Sequence, residues 1–184
     1  MTLPQREHYL YQAYYCEENI WQLCQRPEFI HSEAVVIAAL GDCFPILQQR
    51  AATAPYLPVL WDYHVVLLWH TGDGDYIIDF DTILPFCTPL ADYVQQSFFD
   101  ERRLHANLRP WFRVIPAQQY ATRLQSDRRH MKSAAGWLAE PPAWSPISDN
   151  ASNLQQFINM KDHNYGQIMS ATQLLATNSS STLC

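Results

Sequence analysis

Lysine is nearly missing from this sequence: Lys132 and Lys161 stand alone among 184 residues, against ten arginines. The arginines are scattered, no basic stripe forms, and the formal net charge is −6. Phosphate binding needs clustered cations, so no nucleic-acid partner is expected. Charge of any sign is scarce as well, at 16% of residues, whereas 48% are hydrophobic and 13% aromatic. That balance excludes a disordered chain and describes a dense, aromatic-rich globule. No apolar run approaches the ~18 residues of a membrane-spanning helix, so no membrane partner is expected. The opening MTLPQREHYLYQ carries an acid and polar groups and does not have the pattern of a signal peptide. No CxxC pair occurs, which removes the usual spacing of a structural zinc site. The five cysteines, at 16, 24, 43, 87 and 184, are odd in number and scattered. They read as reduced thiols of a cytoplasmic protein, with the nucleus as a second compartment.

What is present fits a single domain over residues 1–184, with 176–184 (ATNSSSTLC) as a flexible tail. From Cys16 to Gln25 the pattern predicts a helix with Ile20, Leu23 and Cys24 on one stripe, and Glu17 and Glu18 in its first turn suit the helix dipole. AVVIAAL (34–40) reads as a buried strand, and 44–47 as a second. Two aromatic and β-branched runs, 59–70 and 75–84, flank TGDG (71–74) and predict a hairpin in which Gly72 and Gly74 supply positive φ. A helix is expected over Leu90–His105, a strand over 111–117 and a short helix directly after it. A proline-rich loop spans 139–153, and another short helix Leu154–Met160. Helix first, then hairpin-linked strands, then flanking helices predicts an α+β fold, an α/β sandwich with a mostly antiparallel sheet.

The chemistry starts from Cys16, at the head of the first helix. A thiol there meets unpaired N–H groups and the positive end of the dipole, which favour the thiolate and can bind an oxyanion. The plainer reading of a cysteine is a small buried hydrophobe, and Cys24, Cys43 and Cys87 receive it here; Cys184 is read as an exposed tail thiol. A thiol nucleophile needs a base. Strand alternation puts His64 on one face of the hairpin with Asp62, Val66 and His70, and puts Asp75, Ile77, Asp79 and Asp81 together on the second strand. If residues 70 and 75 pair, His64 faces Asp81 with Asp79 on the diagonal; if 69 and 74 pair, it faces Asp79. Either register yields an imidazole beside a carboxylate on an apolar strand, which is either a structural pair or the base and orienting acid of a thiol hydrolase. The hairpin alone leaves Asp79 and Asp81 both open.

Several blocks carry a resemblance. YYCEENIWQLC (14–24), WDYHVVLL (61–68), DFDTILPF (79–86), FRVIPA (112–117), SDRRHMK (126–132), EPP (140–142) and NLQQFINM (153–160) are similar, in consistent order, to the protein N-terminal glutamine amidohydrolase family. The resemblance covers roughly residues 10–160 and fades beyond. It implies a Cys-His-Asp triad on a core related to transglutaminases and papain-like hydrolases, with Cys16 as nucleophile, His64 as base and Asp79, rather than Asp81, as the orienting acid. It further implies a monomer that converts N-terminal Gln to Glu, a step preparing proteins for arginylation and degradation in the N-degron pathway. It implies no metal and no organic cofactor. The substrates would be proteins or peptides with a free N-terminal Gln, whose ammonium needs an acceptor; Glu17, Glu18, Asp62 and Asp81 are the candidates. Trp61 and Tyr63 are expected in the core rather than in the pocket wall. Asp127, Arg128 and His130 are expected to form a salt-bridged turn rather than to neighbour the active site. A papain-like peptidase, a transglutaminase and a non-enzymatic N-terminus-binding module are the alternative readings.

Overall fold

The computed structural model describes residues 2–54 and 56–179. In chain order it contains α1 (Cys16–Leu23), β1 (Glu33–Ala38), β2 (Phe44–Ile46), β3 (Val59–Trp61), β4 (Tyr63–Thr71), β5 (Gly74–Ile78) and β6 (Cys87–Pro89). There follow α2 (Leu90–Ser97), β7 (Trp111–Pro116), α3 (Ala117–Arg123), β8 (Lys132–Ser133), β9 (Gly136–Trp137), α4 (Leu154–Ile158), β10 (Gln167–Met169) and α5 (Ala171–Ser179). Six strands make the main sheet in the order β10-β7-β1-β4-β5-β6, and every neighbouring pair is antiparallel. The α+β class and the antiparallel sheet expected from the sequence are what the chain adopts.

Antiparallel sheets commonly leave one face wet, but this one is covered on both. Val36, Val65, Leu67, Ile78 and Ile115 pack with Ile20 and Leu23 of α1, Tyr120 of α3 and Phe157 of α4. Val35, Ile37, Val66, Leu68 and Ile77 face Tyr93 and Val94 of α2, Leu174 of α5 and Phe44 and Ile46 of β2. This two-sided burial explains why residues 34–40 read as a continuous apolar run rather than an alternating one.

The differences from the sequence reading cluster where side chains rather than periodicity set the backbone. The run 59–70 is two strands: β3 pairs with β2, β4 joins the main sheet, and between them the Asp62 carboxylate accepts the Tyr63 N–H at 2.9 Å. In the 71–74 turn only Gly74 takes a positive φ, +128°; Gly72 does not. The helix from Leu90 ends at Ser97 rather than His105. Phe98 turns extended to enter the apolar layer, and Asp100 accepts the Arg102 N–H at 3.0 Å to start a separate short turn. β6 and β10 had no strand signal of their own. β10 lies close to β7 because Gly166, at φ +58°, brings its backbone against Val114; an ideal Cβ there would sit 2.2 Å from the Val114 carbonyl oxygen. α5 runs on through residues 176–179, where a tail was expected; the rest of that tail, with Cys184, lies outside the described residues.

Candidate active site

α1 packs against β4, which brings Cys16 to the end of the sheet where β4 begins. Cys16 and His64 line one cavity of about 290 Å³, whose wall also includes Trp61, Asp62, Tyr63 and Asp81. Trp61 and Tyr63, expected in the core, thus help to form the pocket wall. Trp61 lies nearly parallel to the His64 ring, at 12° and 6.1 Å between centroids, and Tyr14 meets Trp61 edge-on at 6.1 Å. Tyr14 holds φ +68°, a left-handed conformation unusual for a bulky residue, just ahead of α1. The Asn19 side chain bonds both the N–H and the carbonyl of Gln12 and so ties this strained segment to the helix.

The hairpin has the register in which His70 pairs with Asp75. Extrapolated, that register puts Asp81 opposite His64, yet it is Asp79 that touches it: Nε2 of His64 lies 3.0 Å from Oδ1 of Asp79. β5 stops at the pair Leu67–Ile78, so the strand never reaches His64. Beyond it the chain curls. The Asp79 N–H bonds the Phe86 carbonyl, Arg50 N–H bonds the Asp81 carbonyl and Ile83 N–H bonds the Gln48 carbonyl. The curl carries the Asp79 side chain in behind the imidazole.

Asp79 is buried and well supplied with donors. The Tyr93 hydroxyl donates to Oδ2 at 2.8 Å, the Asp81 N–H to Oδ1 at 2.9 Å, and the Gln49 amide reaches Oδ2 at 3.5 Å. Gln49 in turn accepts from the Trp61 indole at 3.3 Å. Burial opposes ionisation of Asp79, but the His64 charge and these hydrogen bonds outweigh it and lower its pKa. For His64 burial likewise opposes the charged form, and the Asp79 carboxylate overcomes it, raising its pKa. With Nε2 committed to Asp79, Nδ1 is the nitrogen left for a thiol.

Cys16 itself departs from expectation. It is buried, and burial, with the Glu17, Asp81 and Asp79 charges behind it, pushes its thiol well up rather than down; only the Val65 N–H, bonded to the sulfur, pulls the other way. The thiol lies 4.0 Å from Oε2 of Glu17. So the surroundings of this helix-start cysteine disfavour the thiolate, and a base is needed to take its proton. Cys24 and Cys87 are buried core thiols, as expected, and burial raises both, Cys87 to about 11. Cys43 is half-buried, and no disulfide forms among the described residues.

The four acids proposed for the ammonium fare differently. Glu18 is fully buried and saturated. It takes Arg128 through both oxygens at 2.7 Å and the Trp144 indole at 2.8 Å. Glu17 is equally buried. It accepts from the Tyr63 hydroxyl at 3.0 Å and pairs with Nε2 of His130 at 3.2 Å. Neither acid lines the cavity, and neither merely decorates the helix dipole. Asp62 is exposed at the rim and occupied with the Tyr63 N–H. Asp81 lines the cavity and is fixed through Oδ1 by the Tyr11 hydroxyl at 2.6 Å.

Residues 126–132 are both things between which the sequence reading chose. They form a salt-bridged turn, with Asp127 paired to exposed Arg129 and Arg128 to buried Glu18. They also deliver His130 and Met131 to the cavity wall. Arg128 further binds the Pro142 and Trp144 carbonyls, which fastens the proline-rich loop to α1. Tyr11, Gln49, Tyr93 and Trp144 have site roles that no spacing signals, since each arrives from a distant part of the chain.

His64, Asp79 and Asp81 also present nitrogen and oxygen atoms within 4.8 Å of one another, close enough to ligate a cation. The donors already on Asp79 fill the lone pairs that a metal would need, so this set fits an orienting acid better than a metal ligand.

The family model for N-terminal glutamine amidase matches residues 11–178. This chain belongs to that family. It is 40% identical over 170 residues to the protein N-terminal glutamine amidohydrolase of Bos taurus, a match covering 85% of this chain and 80% of the bovine protein. The Homo sapiens protein of the same name is 39% identical over the same length, with 85% and 81% covered. That of Drosophila ananassae is 37% identical over 150 residues, with 77% and 73% covered. The chain is therefore an amidase by family. No helix among the described residues is long and apolar enough to cross a membrane.

Proposed function

We propose that this chain hydrolyses the side-chain amide of an N-terminal glutamine on proteins and peptides, releasing ammonia and leaving glutamate, with Cys16, His64 and Asp79 as its catalytic triad. The observation that carries the reading is the buried His64–Asp79 pair at 3.0 Å, facing the same cavity as the one cysteine that heads a helix there. His64 takes the Cys16 proton through Nδ1 as the sulfur attacks the amide carbon. Asp79 holds the tautomer and stabilises the imidazolium. The amide oxygen gains the electron pair and meets the N–H groups at the head of α1. His64 returns its proton to the nitrogen, ammonia leaves, and a γ-glutamyl thioester remains. Water then gives its proton to His64 and its oxygen to the carbonyl, freeing Cys16 and the glutamate.

No step calls on a metal or an organic cofactor. The proposal includes the relation to transglutaminase and papain-like cores that the resemblance implies, and a nucleophile at a helix head against an antiparallel sheet, with its base on a strand, supports it. The same proposal includes a monomer in the cytoplasm and nucleus that binds no nucleic acid and feeds the N-degron pathway. Unpaired thiols among the described residues support the compartment, and the absence of a basic stripe in the sequence supports the lack of a nucleic-acid partner.

The deciding experiment is ammonia release from short peptides that differ at residue one. A peptide beginning with Gln reacts. A peptide beginning with Asn does not, because ~1 Å of misplacement at the reacting carbon costs about 10²-fold. Peptides acetylated at the terminus or carrying only internal Gln do not, because they offer no ammonium for the site to pair. Comparable turnover of internal Gln would replace this reading with a transglutaminase-like one, and cleavage of the peptide bond with a peptidase.

A further inference from the structure

Resting on the deamidation reading, we infer that Asp81 selects the free amino group of the substrate, and that Tyr11 aims its carboxylate for that purpose. A triad alone attacks any accessible glutamine amide. Selection of the terminal one requires an anion within reach of the α-ammonium while the amide lies on Cys16. Four bonds separate the amide carbon of glutamine from its α-nitrogen, a span of at most about 5 Å with ordinary bond lengths. The acceptor must therefore sit beside the catalytic imidazole, not at the cavity mouth.

Asp81 meets that condition. It contributes to the cavity wall with Cys16 and His64, and its carboxylate lies within 4.8 Å of the His64 and Asp79 ligand atoms. The other three acids do not meet it. Glu18 is saturated by Arg128 and Trp144, Glu17 is sealed behind Tyr63 and His130, and Asp62 stands exposed at the rim.

Charge favours the same residue. No lysine or arginine lines the cavity, and no ion pair forms on Asp81 among the described residues. Asp79 and Asp81 share one imidazole, so one negative charge is left over when both are ionised. Burial, with the Asp79 charge behind it, raises the Asp81 pKa, although the His64 charge, the Tyr11 hydrogen bond and Arg50 at longer range oppose the shift. An ammonium docked there supplies the missing positive charge. Tyr11 holds Oδ1 at 2.6 Å, and its ring stacks on Phe80 at 5.3 Å and 13°, which fixes the carboxylate before any ligand arrives.

The test separates recognition from turnover by measuring binding to the Cys16→Ala protein. The probes are a peptide beginning with Gln and the same peptide with the α-amino group replaced by hydrogen. Calorimetry on Cys16→Ala is expected to favour the amino-bearing peptide by at least about tenfold, a typical size for one charge-assisted hydrogen bond. Adding Asp81→Asn is expected to bring that ratio close to one, while binding of the des-amino peptide barely changes. In the otherwise wild-type enzyme, Asp81→Asn raises KM for the Gln peptide far more than it lowers kcat. Tyr11→Phe, which keeps the carboxylate but frees it, lowers the preference by several-fold. An undiminished preference in Asp81→Asn overturns the inference; if that variant does not fold, an undiminished preference in Tyr11→Phe does so. Failure of the wild-type enzyme to release ammonia would instead sink the reaction, and the binding ratio would still decide the role of Asp81.

Discussion

β4 carries two histidines on one face, each beside an aspartate, and the two pairs have different fates. At the start of the strand His64 meets Asp79 at 3.0 Å with both side chains 1% exposed. At its far end His70 meets Asp75 at 2.7 Å and Glu33 at 3.0 Å, with 34% of the imidazole exposed. His70 has a carboxylate on each ring nitrogen and none left for chemistry. His64 has one nitrogen committed and one available, a cavity in front of it and a cysteine in the same wall. A His–Asp pair is thus a catalytic element only when its second nitrogen is kept free and dry; the pair alone is a clasp.

Substitution of the two histidines is the strongest way to break this contrast. His64→Ala is expected to lower ammonia release from a Gln peptide by about 10²–10⁴-fold, the usual worth of a positioned acid–base group, with the circular dichroism spectrum retained. His70→Ala is expected to leave turnover within about threefold, because it removes only a clasp. Equal losses would mean that the strand, not the imidazole, is what activity depends on.

The aspartates sharpen the same point. Asp79→Asn is expected to cost orders of magnitude in kcat, because an amide can hold the wrong tautomer of His64. Asp75→Asn leaves kcat nearly unchanged, and Asp81→Asn falls between them, acting on KM. A larger kcat loss at Asp81 than at Asp79 would transfer the orienting role to Asp81.

A third measurement concerns the thiol. Because burial and Glu17 raise the Cys16 pKa, its alkylation by limiting iodoacetamide is expected to climb at higher pH than for an ordinary thiol. Glu17→Gln removes the nearest negative charge and is expected to move that climb to lower pH, read by peptide mapping after brief labelling. A profile for Glu17→Gln that stays in place, or moves up, would remove Glu17 from the control of the thiol.

The smallest effect belongs to the clasp. The Glu33 hydrogen bond leads the rise of the His70 pKa to about 9, against burial, with Asp75 adding to it. The folded-state value exceeds the unfolded one, so this stability is fully present below about pH 6.5 and fades as pH rises through 9. A third of the ring is in water, so the contribution is on the order of 1 kcal/mol rather than what the full shift implies. The Tm gap between wild type and His70→Gln is expected to be present at pH 6 and to close by pH 10. A gap that is constant with pH would assign it to packing.

Much of this was legible in the sequence, for a local reason. α1 with Cys16 at its head, the buried run of β1 and the β4–β5 hairpin follow from spacing and turn chemistry, which act over a few residues. Alternation alone put His64 and the two aspartates on one face. The choice between them was not legible, because it depends on where β5 stops. One of the two possible registers faced Asp81 and the other Asp79, and only the resemblance chose Asp79. Arg128 illustrates the same limit: in sequence it belongs to a polar turn, and in the fold it is a buried partner of Glu18.

The sequence by itself determined α1, β1, the β4–β5 hairpin, the antiparallel class and, through its resemblance, the family and the three residues of the proposed triad. Only the tertiary structure decided that Glu17 and Glu18 are buried and engaged, that Trp61 covers His64, and that burial and nearby carboxylates raise the Cys16 pKa. It likewise left Asp81, in the cavity close to His64, without an ion pair among the described residues. Hydrogen-bond saturation and desolvation depend on groups brought together from distant parts of the chain, and no local pattern records which donor reaches which carboxylate.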